Sequence, residues 1–109
     1  MTVFISQAMN GRTEKEIKEE RDRAVQIVKN KLGPDVEIID SYINDVPEEA
    51  NPIWFLGKSL EHLSKADYAY FCDGWSGARG CRIEHVCAVE YGIPIIQNHE
   101  RGRNNGQEI

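Results

Sequence analysis

Residues 74–85 read GWSGARGCRIEH: three glycines (Gly74, Gly77, Gly80), two arginines (Arg79, Arg82) and Glu84 stand between an apolar run and a helical pattern. Glycines let backbone N–H groups come close to an anion. The first turn of a helix adds unpaired N–H groups and partial positive charge. With charge-assisted bonds from Arg79 or Arg82, such a turn suits a phosphate. Glu84 is expected in the first turn of that helix, a carboxylate at the edge of the same cleft. The stretch is not a P-loop, because no Gly-Lys-Ser/Thr follows. It is not the dinucleotide fingerprint either, because the glycines are three residues apart and follow a third strand. A tight strand-to-helix turn, with a glutamate placed for the helix dipole alone, is the plain alternative.

The elements around this stretch must position it. TVFIS (2–6) is a short β-rich run. Thr13 with Glu16 fits a capping box, so a helix should start at residue 14. Ile17, Ala24, Val25, Val28 and Leu32 form its apolar face, and Glu14–Lys18 and Glu19–Arg23 supply i,i+4 pairs on the other. Gly33-Pro34 ends it. VEIID (36–40) reads as a second strand. Asn51-Pro52 reads as an N-cap with proline at the first helical position, opening a helix that ends near Lys65. DYAYFC (67–72) is a third strand, 81–91 a third helix ended by Gly92, and IPIIQ (93–97) a fourth strand. The order β-α-β-α-β-α-β predicts one α/β domain over 1–98, a Rossmann or flavodoxin-like parallel sheet of about four strands with helices on both faces. The polar, Gly/Asn-rich residues 99–109 are expected to form a flexible tail. Ligands of such folds bind beyond the C-terminal ends of the strands. The loops 7–12, 41–43 and 73–80 should therefore line the site.

Composition narrows the partners. The chain has 109 residues, enough for one core. Its formal charge of −5 argues against a generally basic nucleic-acid binder. No apolar stretch approaches the ~20 residues of a membrane span, and MTVFI is too short for a signal-peptide core. The expected location is the cytoplasm. Cys72, Cys81 and Cys87 are odd in number and contain no C-x-x-C, so they read as free thiols packed as small hydrophobes. A zinc site from Cys81, His85 and Cys87 has no defensible spacing, and no metal or cofactor is expected.

FISQAMNGR before a helix, together with LSKADYAYFCDGWSGARGCRIEHVCAVEYGIPII, resembles the nucleoside 2-deoxyribosyltransferase-like superfamily, closest to its small bacterial and phage branch. The likeness covers residues 2–97, and D-x(6)-G-W-x(4)-G-x(3)-E, Asp67 to Glu84, is its most specific part. The resemblance implies a deoxyribosyltransferase or deoxynucleotide N-glycosidase in which Glu84 attacks C1′ of the sugar. It implies that Gln7, Met9, Asn10, Gly11 and Arg12 contact base and sugar, and that Arg79, Gly80 and Arg82 bind the 5′-phosphate or 5′-hydroxyl. It also implies a metal-free enzyme that forms homodimers or larger assemblies. Three positions depart from the family pattern. Ser59 stands where relatives carry a sugar-facing aspartate, Ala78 where they carry serine or aspartate, and Gln7 where they carry glycine. Asp73, at the end of the third strand, is the expected substitute carboxylate, and Asp67 is expected to hold the loop.

Further expectations rest on single residues. Gly74 belongs to the phosphate-type turn. Trp75 is placed to stack on a base or to pack its own loop, and Tyr42 to line the pocket. Trp54 and Phe55 read as a core or dimer stripe, and Tyr91 as part of an oligomer surface. His85 points ~100° away from Glu84 on a helix and is expected at the surface or an interface. Two functions follow. One is an enzyme of the N-glycosidic bond of nucleosides or their 5′-monophosphates, with Glu84 as nucleophile. The other is a module that binds a nucleotide or nucleotide-derived signal without cleaving it.

Overall fold

The computed structural model describes residues 1–41 and 43–97. Tyr42 and the expected tail 99–109 lie outside them. β1 (Thr2–Ser6), α1 (Glu14–Leu32), β2 (Glu37–Ile38), α2 (Pro52–Leu63), β3 (Tyr68–Phe71) and α3 (Arg79–Glu90) follow one another, with a short 3₁₀ turn at Trp75–Gly77 before α3. The strands form a three-stranded parallel sheet in the order β2-β1-β3. Val3 pairs with Ile38 and with Tyr68, and Ser6 with Phe71. All three strands therefore end at one edge, with β1 central. Connections leave β1 and β3 from that edge into different helices, the place where α/β sheets open a crevice.

Local chemistry explains the helix ends. The Thr13 hydroxyl accepts from Glu16 N at 3.1 Å, and Thr13 N donates to Glu16 Oε1 at 2.9 Å, a reciprocal cap. Gly33 ends α1 at φ 107°, a conformation few residues other than glycine adopt. Asn51 Oδ1 accepts from Trp54 N at 3.1 Å, and Pro52 stands at the first helical position of α2. On the surface of α1, Lys18 pairs with Asp22 at 3.0 Å.

Side-chain alternation along the strands divides the core. Val3, Ile5, Tyr70 and Cys72 pack with Ala24 and Val28 of α1. Phe4, Ala69 and Phe71 pack with Leu63 of α2 and Ala88 of α3. Residues 93–97 do not form the expected fourth strand. They reach the outer edge of β3 through one parallel bridge, Ala69 with Ile95, in which Ala69 N donates to Pro94 O at 2.9 Å and Ile96 N to Ala69 O at 2.8 Å. The preceding rung of that ladder needs an N–H from Pro94, which proline lacks.

Asp67 is at the other end of the sheet. Its Oδ2 accepts from Thr2 N at 2.8 Å and from the Thr2 hydroxyl at 3.3 Å. It ties the starts of β1 and β3 together, and does not hold the 73–78 loop.

Candidate active site

Ser6 is the last residue of β1 and shares the sheet face of Phe4, toward α2 and α3. Its hydroxyl donates to Glu84 Oε1 at 2.6 Å. Both residues are nearly closed from solvent, Ser6 at 2% and Glu84 at 7% exposure. From α2, the hydroxyl of Ser59 acts on the same carboxylate. Burial pushes the Glu84 carboxyl up from the ordinary range, because a desolvated carboxylate resists ionisation. The Ser6 and Ser59 hydroxyls draw it back by stabilising the charged form. The buried Cys81 thiol sits against the same serine; burial raises its pKa, the Ser6 hydroxyl opposes the rise, and the field of Glu84 adds to it. A carboxylate, two hydroxyls and a thiol from β1, α2 and α3 thus meet at the C-terminal edge of the sheet.

Glu84 reaches this place differently from the expectation. Helix α3 begins at Arg79, two residues before the predicted start, so Glu84 lies in its second turn. The helix dipole, which acts within the first turn, therefore gives no reason for this glutamate. Ala78 supplies no side-chain cap, and the first helical bond runs from Arg82 N to Ala78 O at 2.9 Å. Arg79 stands exposed at the helix start, with Gly80 next to it. Exposed Arg82 donates to Ser76 O at 3.0 Å, closing the loop on itself. Arg79 and Gly80, with Asn51, Pro52, Leu56 and Ile83, wall a cleft of about 500 Å³ between the starts of α2 and α3.

The β1–α1 loop is held from the α1 side. Gln7, 8% exposed, donates from Nε2 to Ile17 O at 2.7 Å and to Glu20 Oε1 at 3.0 Å. Both amide hydrogens have acceptors, so the amide cannot be turned around, and its buried Oε1 has no hydrogen-bond partner. Arg12 pairs with Glu20 Oε1 at 2.6 Å and donates to Ala8 O at 2.9 Å. The hydrogen bond that Arg12 donates to Glu20, with the charge of that carboxylate, raises the Arg12 pKa against the opposing effect of burial. Arg12 is thus engaged in pinning its loop to α1. Met9, Asn10 and Gly11 are exposed at the tip of that loop, Gly11 with φ 75°.

Across the crevice, Asp73 and Gly74 are exposed just beyond β3, and Gly74 takes φ 89° to enter the 3₁₀ turn. Trp75 stacks on His85, with ring centroids 4.0 Å apart and planes 7° apart. His85 is half-buried in this contact. Ser59, a substrate-binding candidate standing where relatives carry a sugar-facing aspartate, is brought to Glu84. Ser6 was missed. Its one signal was a hydroxyl at the end of an otherwise apolar strand, on the same alternating face as Phe4.

The chain matches no family model, no curated protein and no solved structure. Among the described residues no group of three or more His, Cys, Asp or Glu is placed to hold a metal ion. No helix among them is long and apolar enough to cross a membrane.

Proposed function

We propose that this protein is an enzyme of the N-glycosidic bond of deoxynucleosides or their 5′-monophosphates, with Glu84 as nucleophile. The reading belongs with the resemblance to the nucleoside 2-deoxyribosyltransferase-like superfamily. The single observation that carries it is the buried Ser6–Glu84 pair, with Ser59 acting on the same carboxylate: a desolvated carboxylate that accepts from the Ser6 hydroxyl at the C-terminal edge of a parallel sheet. Burial makes such a carboxylate a stronger base, and the hydroxyls keep it available in charged form. In the proposed step a Glu84 oxygen bonds to C1′ while the C1′–N bond breaks. Its electron pair leaves with the base, which takes up a proton. Water, or a second base, then displaces Glu84 from C1′. With Ser6 on Oε1, the second carboxylate oxygen is the one assigned to attack.

The 5′-phosphate is assigned to the start of α3, where Arg79 and Gly80 line the cleft. The same reading takes the fold as flavodoxin-like, with helices on both faces of the sheet and residues 93–97 as a rudimentary fourth strand at its edge. The division of the core between α1 and the α2–α3 side supports it, as does the bridge at Ile95. It places the protein in the cytoplasm as a homo-oligomer. Exposed Ile53, Ile83, Val86, Val89 and Tyr91 on or beside α2 and α3 support self-association.

One observation favours a module that holds a nucleotide without cleaving it: Glu84 is almost closed off, and Oε1 is already occupied by Ser6. Incubation with each deoxynucleoside 5′-monophosphate, with free base followed by chromatography, separates the two. The enzyme reading expects free base from wild type and none from Glu84→Gln. Binding without product selects the module. Neither binding nor product with any nucleotide refutes both.

A further inference from the structure

Glu84 is 7% exposed, yet the proposed step needs a reactant to reach it. The cleft of about 500 Å³ between the starts of α2 and α3 stands one helical turn away. On α3 it is walled by Arg79, Gly80 and Ile83, and Glu84 follows Gly80 by four residues, about 6 Å along the helix. On α2 it is walled by Leu56, and Ser59, which acts on the Glu84 carboxylate, follows Leu56 by three residues. Residues three or four apart share a helix face. The cleft and the Ser59–Glu84 contact therefore occupy the same two facing sides of α2 and α3, in successive turns.

A helical side chain leans toward the N-terminus and covers the turn before its own Cα. Glu84 thus leans toward the turn of Gly80. No side chain stands there, and a Cβ at Gly80 would meet nothing within 4 Å. The backbone does not ask for glycine either: Gly80 lies within α3 and does not take the positive φ of Gly33 or Gly74. Neither dihedral angle nor packing accounts for this glycine. What it leaves is open space between the cleft and the turn that holds Glu84.

We propose that the α2–α3 cleft is the way in to Glu84, and that the missing side chain at Gly80 is its opening, flanked by Leu56 and Ile83. A group bound for the carboxylate passes between two apolar side chains and over the bare backbone of residue 80. Bulk at that position therefore sets the size of what arrives. Half-buried Leu56 is the fixed side of the passage, and Ile83, 37% exposed, is the side with room to swing toward water. The use of the passage rests on the proposed glycosidic reaction, but the passage itself does not. A Gly80 that only brought its N–H to a phosphate would leave access to Glu84 unaltered by an added side chain.

The test is made without nucleotide. A water-soluble carbodiimide with glycinamide at about pH 5, near the ordinary glutamate range, converts a reachable carboxyl to its amide while the carbodiimide takes up the water as a urea. Peptide mass mapping follows Glu84, with exposed Glu19 and Glu48 as references. In folded wild type Glu84 should be labelled, more slowly than the references. Gly80→Ala should slow its labelling, Gly80→Leu should abolish it, and Ile83→Ala should speed it, with the references unchanged. Gly57→Leu adds the same side chain at an exposed glycine of α2 where a Cβ also meets nothing, and should leave Glu84 as in wild type. A wild-type Tm in Gly80→Leu separates blockage from unfolding, which would speed the labelling. Should that variant fail to fold, the opposite shifts in Gly80→Ala and Ile83→Ala still decide. No labelling of Glu84 in folded wild type, unchanged labelling in a folded Gly80→Leu, or no gain in Ile83→Ala would each overturn the proposal. Labelling that follows the expected pattern, with no free base from any nucleotide, would keep the passage and remove the glycosidic reading.

Discussion

Removing the Ser6 hydroxyl is the sharpest test of the buried cluster. Ser6→Ala deletes one oxygen from a site 2% exposed and leaves Glu84 without its 2.6 Å donor. With Glu84 ionised, the lost bond is one to a charged group, about 1.5–3 kcal/mol. With Glu84 protonated, it is a neutral bond, about 0.5–1.5 kcal/mol. The cost at neutral pH is also capped, because the variant can take up a proton at Glu84 instead of bearing an unsupported charge. The destabilisation should therefore be larger at pH 7 than at about pH 4, below the ordinary glutamate value of 4.5. In a domain of this size 1 kcal/mol is about 4–8 °C in Tm, so the loss at pH 7 is roughly 6–24 °C. Urea denaturation of wild type and variant at the two pH values gives both numbers. Equal costs at both, or less than about 0.5 kcal/mol at pH 7, would refute the claim that Ser6 supports an ionised Glu84.

Other outcomes follow from the same geometry. Because burial raises the Glu84 pKa, the native state holds that proton more tightly than the unfolded chain, and stability declines as pH rises out of the ordinary glutamate range. Glu84→Gln should remove that decline and be at least as stable as wild type at pH 7 by thermal melting, while free-base release is lost; a less stable variant counts against a strained carboxylate. The Cys72 thiol, pushed up to about 12 chiefly by burial, should resist iodoacetamide at about pH 8 in the folded protein and react only on denaturation, whereas half-buried Cys87 should be labelled first, as peptide mass mapping would read. Arg79→Ala should weaken deoxynucleoside monophosphate binding by about 10- to 150-fold and leave the unphosphorylated nucleoside unaffected by calorimetry; equal losses for both ligands would dissociate Arg79 from the phosphate. Sedimentation at micromolar concentration should find an oligomer that Val86→Glu converts to monomer, since Val86 is 57% exposed on α3; a wild-type monomer defeats the self-association reading.

What was legible in the sequence was legible because its causes are short-range. Thr13 and Glu16 are three residues apart, and their reciprocal bonds start α1 where the spacing placed it. Asn51 and Pro52 set the start of α2 in the same way. Alternating apolar residues in TVFIS and DYAYF identified strands whose two faces enter two cores. Glu84 stood out through residue type and neighbours. The reason it matters was not visible, because its donor Ser6 is 78 residues away and only the parallel pairing of β1 with β3 and the packing of α3 bring the two together. Packing added what local readings could not supply. α3 starts early, at Arg79, because the 3₁₀ turn hands the chain directly into it, and this moved Glu84 beyond the reach of the helix dipole. Arg12, on the loop expected to line the site, pairs with Glu20 of α1. His85 is held against Trp75 by ring contacts that no spacing rule encodes. Propensity and capping act over one turn of chain. Desolvation, ion pairing and ring stacking act over a few ångströms of space, and which residues share that space is decided only when the sheet has assembled.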